Sequence, residues 1–369
     1  MTKTLQALLI GISLSMLCGS AMAQEYDLEA MIEAAKGEPP INVYDSTGKI
    51  VEMAENFATK YGLKASGVKA KASEQLEMVV REAMAENVQA DVVIISDAPA
   101  AIGQLVPQKF ATSWLAPDIA EKVEQGYRDP LAVVTTPVVW AYNTELFESC
   151  PVSNLWELTE PEWRGRVAFQ DPLTKTVYID WFNQMEAHGD AALAAAYEAR
   201  SGKPLELEEG SATRAFIRAL AGNAPLMTNS DDAAAEAAGA PGQTEAFMAL
   251  VSAAKFRENA ASGFKLGICE GLKPWLGFTH AGIGLIASGT DSPNASRLFL
   301  RYVMTAEGIA PQAQDGKMST NIDVGLPSSE PSGVAKVWDH LLAYNMSTVI
   351  DDWETRQDWQ DFWQLNYSR

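Results

Sequence analysis

Residues Thr47-Gly48-Lys49 have the ending of a nucleotide phosphate-binding loop. That loop needs a glycine with four residues between it and the Gly-Lys pair, and a Ser or Thr directly after the lysine. Val43 and Ile50 occupy those places, so the spacing excludes nucleotide hydrolysis at this turn. A Ser-Thr-Gly turn between a strand and a helix retains a simpler chemistry, because backbone N–H groups at a helix start attract anions.

The residues for chemistry of other kinds are sparse. After residue 23 there is no Gly-x-Ser-x-Gly elbow and no His-Glu-x-x-His pair, and the three histidines, His188, His280 and His340, lie at no metal-ligand spacing. This lowers the expectation of an enzyme. Small hydroxyl, amide and acidic residues instead gather after expected strands: Asp45-Ser46-Thr47-Gly48, Ser96-Asp97, Asp171 with Thr174-Lys175-Thr176, and Asn229-Ser230-Asp231. In wound α/β sheets, ligands collect at such carboxyl ends of strands. Ser73, Thr136, Thr279 and His280 complete the candidate ligand-binding set; no catalytic or metal residue and no cofactor is expected. Ser and Thr at these places are also ordinary helix caps, and Asp231 also suits a helix start. The recurrence of the pattern in both halves of the chain carries more weight than any one member.

The elements that must position these residues alternate. Ile41-Asn-Val-Tyr44 reads as a buried strand, and 49–62 as a helix with Val51, Ala54, Phe57, Ala58 and Tyr61 on one face. A second helix begins at Ser73 as its cap, with Leu76, Val79, Val80, Ala83 and Met84 inward, and Ala90-Asp-Val-Val-Ile-Ile95 is an apolar strand. Leu131–Asn143 is long and β-branched around Pro137, and suits a passage from one lobe to another. Helices are expected near 173–187, 189–200, 211–222, 292–304, 331–345 and 353–367, with two strands around Lys273-Pro274. Gly282, Gly284 and Ala287 match a dinucleotide-binding spacing but sit inside an apolar run, where close packing accounts for them.

Residues 1–23 have the layout of an export signal, with Lys3, an apolar run and Ala21-Met22-Ala23 as cleavage site, so export to the periplasm is expected. The formal charge of −20 argues against nucleic acid and anionic lipid as partners. Cys150 and Cys269 form either a disulfide or two separate buried thiols. A bridge would contribute on the order of 4 kcal/mol on the chain-entropy account.

The stretches INVYDSTGKIVEMAENFATKYG, SEQLEMVVREAMAENVQADVVIIS, PVVWAYNTELF, SNLWELTEPEWRGRVAFQDP and ASGTDSPNASRLFLRYVMTAEGIA resemble, in order, the periplasmic solute-binding proteins of ABC importers. The closer resemblance is to family 1, the group of ferric-iron, sugar-phosphate, phosphonate, thiamine and polyamine receptors. It implies a type II two-lobed α/β fold, each lobe a helix-covered mixed sheet, with two crossovers as hinge. One lobe would comprise 24–136 and 270–369 and the other 137–269. It also implies a monomer that delivers a small solute to a membrane permease.

Iron receptors of this group use tyrosines, usually an adjacent pair, and no Tyr-Tyr occurs in this chain. The Ser46-Thr47 turn looks more like the anion-end sites of sugar-phosphate and phosphonate receptors. Backbone amides and both hydroxyls would then donate to a phosphate-like end, with Asp97, Asn229, Asp231 and His280 reading the other end. A cationic solute stacking on Trp140, Trp181 or Trp275 is the alternative, followed by ferric iron; a secreted enzyme comes last.

Overall fold

The computed structural model describes residues 26–206 and 210–368; the expected export signal lies outside the described residues. A first helix, α1 (Leu28–Ala35), is capped by Asp27, whose carboxylate accepts from the Ala30 N–H. Then β1 (Ile41–Asp45), α2 (Lys49–Tyr61), β2 (Ala65–Lys69), α3 (Ala72–Met84) and β3 (Val92–Ile95) form a wound unit in which β2 and β3 pair parallel on either side of β1. Gly62 ends α2 in a left-handed conformation (φ 68°) that a side chain disfavours.

The α3 helix departs from its expected pattern. Its cap is Lys71, not Ser73, and it buries Gln75, Val79 and Glu82 while Met84 is 75% exposed. Two polar side chains face inward because each has a backbone partner. Gln75 donates to the Ala70 carbonyl at 2.9 Å, and Glu82 accepts from the N–H groups of Gln89 and Ala90 at 2.8 and 2.9 Å. Buried polar groups with such partners are tolerated.

The apolar stretch around Pro137 is one strand, β4 (Ala132–Asn143), buried along its whole length. Next come β5 (Val167–Gln170), α4 (Val177–His188), α5 (Asp190–Ser201), α6 (Ala212–Gly222), β6 (Leu226–Thr228), α7 (Asp231–Gly239), β7 (Met248–Ser252) and β8 (Leu266–Ile268). A second long strand, β9 (Gly277–Ala287), is followed by α8 (Pro293–Val303), α9 (Ala306–Ala313), β10 (Met318–Ser319) and α10 (Val349–Asn366). The expected helix at 331–345 is replaced by two short 3-10 turns, Val334–Lys336 and Trp338–His340.

The sheet runs β2-β1-β3-β9-β4-β7-β5-β6, with β4 and β9 antiparallel at its centre. Val133 and Val134 of β4 pack into a core with Val43, Phe57 and Phe299, whereas Val138–Tyr142 of the same strand pack into another with Phe169, Phe182 and Leu250. The two cores therefore share continuous strands, and the chain passes between them within Thr135–Pro137. This is a two-lobed mixed α/β fold. Trp359 and Trp363 of α10 are buried with Phe169 and Phe182 in the second core, although residues 270–369 are expected with the first lobe. Their i, i+4 spacing puts both indoles on one helix face, and that face meets Phe169 and Phe182.

Cys150 and Cys269 are joined as a disulfide with Cα atoms 5.0 Å apart. Of the two alternatives left by the sequence, the bridge is the one realised.

Candidate functional site

Where the two cores adjoin, strand ends and helix starts surround a cavity of about 210 Å³. Ser46, Thr47 and Gly48 line it from the turn between β1 and α2, and Thr136 and His280 face it from the paired central strands. Lys175 enters from the loop before α4 and Asp231 from the first turn of α7. The structure thus brings together seven of the residues singled out in the sequence.

The turn is organised by Asp45, whose side chain is buried. Its Oδ1 accepts from the Thr47 N–H at 3.2 Å and the Ser46 hydroxyl at 3.3 Å, and its Oδ2 accepts from Gln312 Nε2 at 2.7 Å. The Lys49 N–H donates to Thr47 Oγ1 at 3.3 Å. Two N–H groups expected to serve a ligand are therefore committed within the turn. A carboxylate following the strand competes for those donors before any solute does.

The remaining expected residues lie elsewhere. Asp97 caps the short helical turn after β3, accepting from the Ala100 N–H, and also accepts from Thr176 Oγ1 at 2.9 Å. Asp171 and Thr174 form a turn, with Asp171 Oδ1 accepting from the Leu173 N–H and Thr174 Oγ1 donating to the Asp171 carbonyl. Ser230 caps α7, and the Asn229 carbonyl accepts from Gln170 Nε2 at 3.5 Å. Thr279 accepts from the Tyr344 N–H on the opposite face of β9, Ser96 is outside the cavity, and Ser73 is exposed on α3. Trp140 is fully buried and Trp181 stacks on Phe278 at 5.0 Å, so both serve the core.

The cavity's strongest chemistry comes from residues the sequence reading passed over: Lys69 at the end of β2, Lys255 and Arg257 just after β7, and Asp315 and Lys317 before β10. With Lys175, five cations line it against two carboxylates, Asp231 and Asp315. Lys255 pairs with Asp232 at 2.5 Å and Arg257 with Asp315 at 2.9 Å, the latter pair on the cavity lining. Among the described residues Lys69, Lys175 and Lys317 form no ion pair within 4 Å. The one signal available beforehand was position: each follows a strand end or precedes one.

Burial and this excess of cations govern the titrating groups. Burial lowers the Lys175 pKa, with Lys317 and Lys255 adding to the effect against the opposing pull of Asp231. His280 is pushed down to about 3 by burial and then by Lys175 and Lys317, so its ring is neutral near pH 7. Its Nδ1 is buried without a hydrogen-bond partner. Burial raises Asp231 despite Lys255 and Lys175. A desolvated cavity with surplus positive charge and hydroxyls at its rim has the chemistry of an anion site. Larger hollows of about 560 to 640 Å³ open elsewhere, and among the described residues Arg81 is the only cationic side chain on their linings.

Residues 41–316 match the family described as bacterial extracellular solute-binding protein. The chain belongs to that family. As a solute-binding protein it is also similar in fold to iron-bound HitA from Pseudomonas aeruginosa, at 14% identity and a TM-score of 0.66, over 88% of this chain and 99% of that one. AfuA from Actinobacillus pleuropneumoniae, solved with fructose 6-phosphate, matches at 19% identity and a TM-score of 0.65, with the same coverages. The substrate-binding protein of an ABC transporter from Agrobacterium tumefaciens matches at 16% identity and a TM-score of 0.66, over 92% of this chain and 97% of that one. No curated protein matches the sequence.

Proposed function

We propose that this solute-binding protein is a monomeric periplasmic receptor that captures a small phosphate- or phosphonate-bearing solute and delivers it to an ABC import permease, without chemical change and without a cofactor. The observation that carries the reading is the set of Lys69, Lys175 and Lys317, free of ion pairs among the described residues, facing one cavity beside the Ser46-Thr47-Gly48 turn. Lysines rather than turn amides would bind the anionic end, while Asp231 and the neutral His280 meet polar groups of the remainder. The one tyrosine on the lining among the described residues, Tyr178, donates its hydroxyl to the Leu250 carbonyl at 3.1 Å, which argues against a phenolate ligand for ferric iron there. The charge balance also opposes a cationic solute.

The test is a thermal-shift screen of the protein lacking residues 1–23 against fructose 6-phosphate, 2-aminoethylphosphonate, inorganic anions, spermidine, thiamine and ferric salts. At 100 times its dissociation constant a ligand stabilises the fold by about 2.7 kcal/mol, an easily resolved shift. Phosphorylated or phosphonate compounds should raise the melting temperature, and Lys175→Met should weaken their binding ~10-fold or more, the value of one charge-assisted hydrogen bond. A response to amines alone would defeat the anion reading.

A further inference from the structure

Asp97, Arg356 and Asp180 are distant in sequence but meet beside the cavity. Asp97, just after β3, accepts from Arg356 of α10 through two parallel bonds, Nη2 to Oδ1 at 2.8 Å and Nη1 to Oδ2 at 3.2 Å. The same guanidinium reaches Asp180 of α4, with Nη2 to Oδ1 at 2.8 Å. The three side chains are only 12%, 10% and 4% exposed for Arg356, Asp97 and Asp180. One cation thus joins two buried carboxylates, a fork geometry that fixes orientation as well as charge.

The partners belong to different cores. Asp97 follows the strand that carries Val93 and Ile95 of the β1–β3 side, whereas Asp180 stands on α4, whose Ile179 and Phe182 lie in the core around β5 and β7. Arg356 lies on α10, which straddles the two: its Val349 packs with Val93 and Ile95 on the Asp97 side, and its Trp359 and Trp363 pack into the second core. Asp97 reaches the second core through Thr176, from whose hydroxyl it accepts, and through the guanidinium it shares with Asp180 of that core. Thr176 immediately follows Lys175, which lines the cavity.

We propose that Asp97 is a positioning residue for the solute site: it grips Thr176 of the opposite core and Arg356 of the helix that straddles both, and so holds the lobes together and Lys175 in place over the cavity. This rests on the anion reading above. A second effect points the same way, since the Asp97 carboxylate favours the charged form of Lys175. The substitution that tests it is Asp97→Asn, because Asn keeps the shape and a helix-capping oxygen while removing the charge and one of the two acceptors that hold Arg356 and Thr176.

The experiment measures the affinity of fructose 6-phosphate and 2-aminoethylphosphonate from pH 7 to 11 for the wild type, Asp97→Asn, Thr176→Val and Asp180→Asn. Asp97→Asn should weaken binding tenfold or more and shift the alkaline loss of affinity to lower pH. Thr176→Val should weaken binding several-fold with the melting temperature unchanged. Asp180→Asn, which disturbs the same triad on the second-core side, should lower the melting temperature and leave the alkaline limb where it is. Equal changes in affinity for Asp97→Asn and Asp180→Asn with an unmoved alkaline limb would overturn the proposal. Should neither probe bind the wild type, the anion reading fails by itself, and small-angle scattering of the ligand-free proteins decides the clasp. A larger radius of gyration in Asp97→Asn than in both the wild type and Asp180→Asn supports it; equal radii refute it.

Discussion

His280 shows how a residue's surroundings reverse its ordinary chemistry. An unperturbed histidine gains its proton near pH 6.5. In this fold burial and the neighbouring Lys175 and Lys317 delay that to about 3. The unfolded chain therefore binds a proton at pH 6.5 that the folded chain refuses until about pH 3, and stability is lost as pH falls through that window. The loss amounts to at most about 5 kcal/mol. His280→Gln, which cannot titrate, should flatten the acid limb of urea-unfolding free energies measured from pH 6.5 to 4; an unchanged limb would disprove the assignment. Ser46, Thr47, Thr136, Lys175, Asp231 and His280 could be picked from sequence because hydroxyls, amides and charges after strands are visible there. The lysines at 69, 255 and 317 could not, since a lysine near a strand end is ordinarily solvated and only the tertiary fold turns these three into one cavity.

At the scale of elements, hydrophobic period served well for β1, β3 and the paired central strands, because their burial is apolar; on α2 it placed Ala54 and Phe57 inward, but Val51 is 42% exposed and Ile50 and Met53 are buried instead. It failed for α3, whose inward face is held by Gln75 and Glu82 through hydrogen bonds to backbone, and for 331–345, where Pro331, Gly333 and tight turns interrupt the helix. The segment after β4 is another case in which covalent and tertiary links decide. The Cys150–Cys269 bridge spans 119 residues and ties that segment to the chain just after β8, which itself pairs with β4. Removing a cross-link of this length releases loop entropy in the unfolded state worth about 4 to 5 kcal/mol on the entropic account. Cys150→Ser with Cys269→Ser should lower the unfolding free energy from urea titration by several kcal/mol while leaving anion affinity within a factor of two or three, because neither cysteine touches the cavity. A loss of affinity without a loss of stability would contradict this division of roles.

For the molecule as a whole, the sharing of β4 and β9 between two cores has a thermodynamic consequence. Lobes joined by a flexible linker can melt independently, but here each central strand contributes buried side chains to both cores, so unfolding one removes packing surface from the other. Gly277, at the start of β9, makes this coupling testable. It pairs with Val139, and a Cβ there would collide with the Val138 carbonyl oxygen, which is backbone and cannot swing aside. Gly277→Ala must therefore displace one central strand from the other, at a cost of about 1 to 3 kcal/mol. If the cores are coupled, near- and far-ultraviolet circular dichroism should report one coincident unfolding transition in the wild type, and Gly277→Ala should lower its midpoint without splitting it. Gly126→Ala, at a site with open space around the added methyl, should change little. Two separated transitions in the wild type would mean that the lobes hold together through their bridging side chains alone. The closure that captures a solute would then be a docking of independent bodies, and the paired strands would serve only as a tether between them.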